Sequence, residues 1–134
     1  MKNHRDTAHT EGERDPLTAK VIGCAIEVHR TLGPGLLESA YEQCLAHELK
    51  VADVPFRVQV PMPIEYKGVK LDCKYKIDLL VDEFLVIELK AVEQLTGVHE
   101  AQLLTYMKLA EAPVGLLINF NVQLVKNGIR RFVL

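Results

Sequence analysis

Three charged residues stand inside the most apolar stretches of the chain: Asp78 opens DLLV, and Glu88 and Lys90 lie within VIELKA. Charges placed there are costly to desolvate unless they pair with one another or hold a metal. On a strand, Glu88 and Lys90 project from one face about 6–7 Å apart and can meet a common ligand. An antiparallel pairing that sets Asp78 opposite Glu88 requires an odd-numbered loop, because side chains alternate with period two and a two-residue loop would put the carboxylates on opposite faces. The spacing therefore predicts a three- or five-residue loop, for instance Asp82, Glu83 and Phe84, or a bulge. Two converging carboxylates beside a lysine, with oxygen ligands only, suit Mg²⁺ or Mn²⁺; zinc would call for His or Cys at ligand spacing. Such a cation can polarise a phosphodiester oxygen and lower the pKa of a bound water, while Lys90 positions the water or stabilises developing charge. The chemistry that follows is phosphodiester hydrolysis. Spacing alone is equally compatible with a buried Asp–Lys–Glu cluster that only satisfies itself.

The elements that must carry these residues follow from periodicity and punctuation. Asp15 before Pro16 reads as an N-cap with proline at the first helical position, and Leu17, Val21, Cys24, Ala25, Val28 and Leu32 recur at helical spacing. Gly33-Pro34-Gly35 stops that helix, and Leu37, Tyr41, Cys44, Leu45, Glu48 and Leu49 trace a second as far as about Lys50. FRVQVPMPIEY, with Pro61 and Pro63 inside it, predicts an edge or bulged strand, and Lys67-Gly68 a turn. The alternation from Val69 to Ile77 predicts a half-buried strand, with Val69, Leu71, Cys73 and Tyr75 on its apolar face. IDLLV and FLVIELKA are apolar on both faces, as central strands covered on both sides are. Thr96 can cap a third helix with Val98, Ala101, Leu104 or Thr105, and Leu109 inward, ended by Pro113. PVGLLINF is then a buried strand, NVQLVKNG a loop and IRRFVL a last strand. The order ααβββαββ, with helices on two sides of a mixed sheet, predicts an α/β (α+β) sandwich.

At 134 residues the chain is about one domain long, and its 49% hydrophobic and 25% charged composition excludes disordered, collagen-like and disulfide-scaffold classes. Residues 1–14 lack apolar periodicity and read as a disordered tail, leaving 15–134 as one domain. The tail's three basic and three acidic side chains cancel, so the net charge of −2 belongs to 15–134, where a bound divalent cation would offset it. Any nucleic-acid binding must therefore come from a local patch or a metal. Cys24, Cys44 and Cys73 fit neither a CxxC knuckle nor a disulfide framework and read as reduced core or strand residues. No secretory signal or membrane-length apolar run is present, so the cytoplasm is the default location and no membrane contact is expected. His4 and His9 in the tail read as solvated.

Beyond these readings, the segment GLLESAY supplies Gly35, Glu38 and Tyr41 at G-x-x-E-x-x-Y spacing, and KIDLLV, VIELKAVEQL, HEAQLLTYMKL and GLLINFNV follow it. In these blocks the chain resembles the GxxExxY family, assigned to the PD-(D/E)xK nuclease superfamily, over roughly residues 16–134. The resemblance implies a restriction-endonuclease-like core and an Mg²⁺- or Mn²⁺-dependent nuclease acting on DNA. It implies that Asp78, Glu88 and Lys90 are the acidic and D/ExK catalytic residues, with Asp78 and Glu88 as metal ligands. Glu38 would be a further acidic catalytic residue and direct or water-mediated metal ligand. Gln102 and Tyr106, four apart on one helical face, are similar to the QxxxY motif of RecB-like members, which helps hold substrate. Ile77 stands where the superfamily's name has proline. The second reading is a non-catalytic nucleic-acid- or protein-binding module on the same fold.

Other residues carry two readings each. By strand parity Lys74 and Lys76 share the face of Asp78, where they either lead a phosphate backbone toward the metal or form a solvated face. Lys126, Arg130 and Arg131 add positive charge near the C-terminus. Tyr41 either packs as core or brings its hydroxyl near Glu38, and Gly35 serves backbone geometry. His29, His47 and His99 have no carboxylate at a diagnostic spacing, although His99 can lie near the site, three residues before Gln102. Apolar edge strands at 56–66 and 129–134 allow a homodimer, and a protein partner is the expected source of target choice.

Overall fold

The computed structural model of the chain describes residues 4–7 and 15–134. Asp15 accepts hydrogen bonds from the Thr18 N–H (3.2 Å) and the Thr18 hydroxyl, and with Pro16 behind it starts helix α1 (Pro16–Leu32). The glycine-proline corner turns the chain into α2 (Glu38–Val51). Strand β2 (Phe56–Pro61) follows, then a short hairpin of β3 (Ile64–Tyr66) and β4 (Val69–Leu71), then β5 (Lys76–Val81) and β6 (Leu85–Lys90). Helix α3 (Gly97–Ala110) crosses over to β7 (Val114–Asn119), and a 3-10 turn at Val125–Gly128 leads into β8 (Ile129–Val133).

The main sheet has six strands in the order β1-β8-β7-β6-β5-β2, where β1 is His4–Thr7. Only β6 and β7 run parallel; the other neighbours are antiparallel, so the sheet is mixed, as expected. The sequence reading gives no element to residues 1–14, yet positions 4–7 pair with β8, whose outer backbone groups would otherwise be an open edge. The rest of that expected tail, residues 1–3 and 8–14 with His9, lies outside the described residues. One core lies between α1, α2 and the sheet and holds Val21, Val28, Tyr41, Leu45, Ile87 and Phe120. The other lies under α3 and holds Leu80, Val86, Leu103, Tyr106, Met107 and Leu117. No helix among the described residues is long and apolar enough to cross a membrane.

Two elements differ from expectation. The run from Val69 to Ile77 is not one half-buried strand: β3 and β4 form a separate two-stranded sheet, and Val69 (58%) and Tyr75 (47%) are exposed. Lys74 adopts a left-handed φ of 60°, which breaks the extended run before β5 begins. Pro61 and Pro63, which lack backbone donors, likewise divide FRVQVPMPIEY into β2, an edge strand as expected, and the hairpin. Cys73 is consequently exposed, whereas Cys24 is buried and Cys44 half-buried. The inward stripe of α3 also differs, with Leu103, Tyr106 and Met107 buried and Val98 76% exposed. Gly115 on β7 explains the rotation. A Cβ there would collide with the Met107 sulfur and stand 3.1 Å from Leu103, so the bare glycine admits these two side chains. Gly115→Ala should destabilise the fold by about 1–3 kcal/mol through overpacking, read as a lower urea midpoint at unchanged slope.

Candidate active site

Hairpin β5–β6 closes through Asp82, Glu83 and Phe84, a three-residue loop that satisfies the parity requirement. Asp82 and Glu83 both have positive φ (52° and 50°), and the Phe84 N–H donates to the Val81 carbonyl (3.0 Å), a primed-type turn that matches strand twist. The register pairs Val81 with Leu85, Leu80 with Val86 and Leu79 with Ile87, so the next step faces Asp78 against Glu88. At that step side chains replace the backbone ladder. Glu88 Oε2 accepts from the Asp78 N–H (2.9 Å), and Asp78 Oδ2 accepts from the Leu89 N–H (2.8 Å). The crossed pair fixes both carboxylates where the strands part. The face pattern also breaks here: Ile77 packs under α3 with Leu80, while Leu79 and Val81 pack against α1 and α2.

Glu88 is 3% exposed, and burial together with the Asp78 charge pushes its carboxyl up to about 8. Burial first, then the charge of Glu42, raises Asp78 as well, against the opposing effects of its hydrogen bonds and Lys90. Lys90 follows Glu88 on the same face of β6, and its ammonium donates to Gln102 Oε1 on α3 (3.1 Å). The Gln102 amide in turn reaches the Tyr106 hydroxyl at 3.5 Å. Burial and the nearby Glu88 charge raise the Tyr106 phenol, which keeps it a neutral donor. Asp78, Glu88, Lys90, Gln102 and Tyr106 are thus assembled from three elements into one locus.

The other expected positions lie around it. Glu38 is the exposed first residue of α2, and its charge reaches Glu88 and contributes to the upward shift. It does not join Asp78 and Glu88 in a cluster: among the described residues no three His, Cys, Asp or Glu side chains come together as a metal-holding group. Lys76 opens β5 two residues before Asp78, but the face pattern breaks between Ile77 and Leu79 and Lys74 sits beyond the left-handed break, so strand parity places neither lysine on the face of Asp78. His99 is taken up elsewhere, its Nδ1 accepting from the Thr96 N–H (3.0 Å) as part of the capping box of α3. His29 is buried and bonded through Nε2 to the Val122 carbonyl oxygen (2.7 Å). Arg130 pairs with Glu100 (2.5 Å) and buried Arg131 with Asp15 (3.7 Å), so each has an acidic partner and Arg131 is withdrawn from the surface.

Tyr41 resolves to a structural role. Fully buried and stacked on Phe120 (4.4 Å between centroids), it donates its hydroxyl to the Gly33 carbonyl (2.6 Å) and accepts from the Leu36 N–H (3.2 Å). Gly35, at φ 100°, lets the corner close over that hydroxyl. Glycine and tyrosine together therefore set the start of the helix that carries Glu38. Tyr41→Phe should cost about 1 kcal/mol and loosen residues 33–37, seen as faster amide exchange there.

A donor set of two carboxylates, each with one oxygen anchored to backbone and the other turned toward a long or absent contact, fits a hard divalent cation that retains several waters. Burial is the main cause that raises both acids, with Lys90 opposing it. A family model of the PD-(D/E)XK nuclease superfamily matches residues 15–132. The chain belongs to this superfamily. No curated protein and no solved structure matches it. The mixed sheet with helices on both faces is consistent with a PD-(D/E)XK nuclease-like fold. Strand register brings together Asp78, Glu88 and Lys90, three of the residues named by the resemblance, while Glu38 stands apart from them.

Three site residues escaped the sequence. Gln59, at positive φ (49°) on β2, falls at the register step opposite Asp78 and donates to both Asp78 Oδ1 (3.3 Å) and the Glu42 carboxylate (3.0 Å). It ties α2 to the acidic pair. Buried Asn119 accepts from the Val92 N–H (3.1 Å) and donates to the Val92 carbonyl (2.9 Å), holding the chain just after Lys90. The available signal was polarity alone: an amide ending GLLIN and a glutamine inside FRVQV.

Proposed function

We propose that this superfamily member, of the GxxExxY type, is a divalent-metal-dependent nuclease that hydrolyses phosphodiester bonds of DNA. The observation that carries the reading is the three-residue hairpin, which sets Asp78 against Glu88 with Lys90 further along the same face. Asp78 Oδ1 and Glu88 Oε1 would hold Mg²⁺ or Mn²⁺, with Glu38 acting through water from the rim. A cation held there supplies Lewis-acid polarisation of the phosphodiester and a more acidic water. Lys90, aimed by Gln102, orients the attacking water and stabilises charge that grows on the phosphate oxygens. Lys76 and the Gln102–Tyr106 pair flank the locus and steady the substrate.

The test is cleavage of labelled single-stranded, duplex and branched DNA, and of RNA, with Mg²⁺ or Mn²⁺ and with chelator. The expected result is chelator-sensitive cleavage of DNA that Glu88→Gln abolishes. Absence of cleavage across the whole set, or cleavage indifferent to Glu88→Gln, overturns the reading, and nucleic-acid binding without Glu88-dependent turnover would make the chain a binding module.

A further inference from the structure

Beside the carboxylates the chain builds a second feature that hydrolysis by itself does not require. The β3–β4 hairpin and the segment after it stand against α3 and leave a cleft of about 580 Å³, whose lining includes Ile64, Tyr75, Ala101, Gln102 and Tyr106. Tyr75 forms a ridge between this cleft and a second one of about 510 Å³, which Lys70, Lys74 and Lys76 border. One side of the ridge is apolar, and the other sets three lysines and Asp72 around an apolar floor that includes Pro61, Met62 and Leu71. Across residues 62–76 four lysines face only Glu65 and Asp72, a local charge of +2 in a chain of net −2.

Tyr75 is half-exposed but held. Its carbonyl accepts from the Met62 N–H (2.8 Å), and its ring meets Tyr106 edge-on at 6.4 Å between centroids. It lies three residues before Asp78, within ~10 Å of the acidic pair along the chain. The floor of the apolar cleft, Gln102 and Tyr106, is the hydrogen-bonded chain that ends on Lys90. An exposed aromatic face beside lysines is the combination that binds unpaired strands: bases stack on the ring and phosphates follow the charge. A recess between hairpin and helix accepts the face of a base only when that base is free of its complement.

We propose that this cleft receives an unpaired nucleobase stacked on Tyr75, with Lys70, Lys74 and Lys76 taking the adjoining phosphates, so that the substrate is single-stranded nucleic acid. The proposal rests on the reading of Asp78 and Glu88 as the place of the reacting phosphate. It predicts that strand selection resides in Tyr75, apart from the residues of hydrolysis.

The experiment is fluorescence anisotropy of the full chain in chelator at low salt, with a labelled DNA or RNA oligonucleotide as a single strand and as a blunt duplex. The single strand should bind at least roughly tenfold tighter than the duplex, and Tyr75→Ala should weaken it roughly tenfold or more while leaving duplex binding unchanged. Tyr75→Phe, which keeps the ring, should bind within about twofold of the parent. Equal affinity for duplex, no binding of either form, an unaffected Tyr75→Ala, or a Tyr75→Phe as weak as the alanine variant overturns the proposal. A dimer that Tyr75→Ala dissociates also overturns it, by giving the cleft to a second copy. Adding Mg²⁺ to the same samples separates the two readings: Tyr75-dependent strand binding without cleavage keeps this inference and removes the nuclease, whereas Tyr75-independent cleavage of duplex does the reverse.

Discussion

Glu88→Gln should raise the stability of the metal-free chain near pH 8 and abolish its response to divalent cations. Glu88 is buried against Asp78, and its folded-state pKa of about 8 lies above the ordinary 4.5. Between those two values the folded chain holds a proton that the unfolded chain has released, so stability falls as pH rises through this window and levels off above about 8. The wild-type chain therefore carries a burden of a few kcal/mol at the alkaline end, which the neutral amide removes while its oxygen still accepts from the Asp78 N–H. Thermal melts without metal should show a variant advantage of ~5–10 °C near pH 8 that fades toward pH 5. Saturating Mg²⁺ should stabilise the wild type alone, because only it retains the pair that binds the ion. Cation affinity should also climb up to ~tenfold per pH unit until about pH 8, as metal displaces the Glu88 proton. A wild-type melting temperature that is flat from pH 5 to 8, or a Gln variant less stable at pH 8, would show that the carboxylate is not held against its charge.

The second large effect belongs to Lys90. Its ammonium is fixed by Gln102 and its charge lowers both acids, so it stands at the chemistry without being a ligand. Lys90→Ala should reduce kcat ~10²- to 10⁴-fold and leave KM for the oligonucleotide within a few-fold, the signature of an interaction made in the transition state. Cation binding should persist. Without the lysine both carboxyls hold their protons more tightly, so the acidic limb of any residual pH–rate profile should move to higher pH. Gln102→Ala, which removes only the positioning contact, should cost about tenfold in kcat with the limb unmoved. Equal losses in the two variants would show that Lys90 acts only when held by Gln102, and a loss confined to KM would place it in substrate binding instead.

The parts of this locus that the sequence disclosed are those governed by local rules. If Asp78 faces Glu88, the two-residue period requires an odd-numbered loop between their strands, and a four-residue helical step aligns Gln102 with Tyr106. Lys90 meeting Gln102, by contrast, depends on how α3 lies on the sheet. That placement turns on Gly115, which admits Leu103 and Met107 and so rotates Val98 and Ala101 outward. Periodicity on one helix cannot register a missing side chain on a strand behind it. Gln59 and Glu42 join the site through the pairing of β2 with β5 and the packing of α2, both long-range in sequence. The alternation from Val69 to Ile77 was genuine but uninformative, since a short hairpin can alternate without either face being buried. Gly35 was legible as a backbone residue of the corner, whereas the role of Tyr41 depends on its stacking against Phe120 and its bond to the Gly33 carbonyl, both set by long-range packing.

The proposed nuclease role requires Asp78 and Glu88 to share a cation. The direct measurement is calorimetric titration of Mn²⁺ into the metal-free chain near neutral pH, repeated in buffers of different ionisation enthalpy. The prediction is a saturable site whose occupation releases a proton and which Glu88→Gln and Asp78→Asn each eliminate, while Glu38→Gln only weakens it. A titration without binding heat in any buffer, or a site that survives both Glu88→Gln and Asp78→Asn, would contradict it and leave the acidic pair as a structural crosslink between two strands.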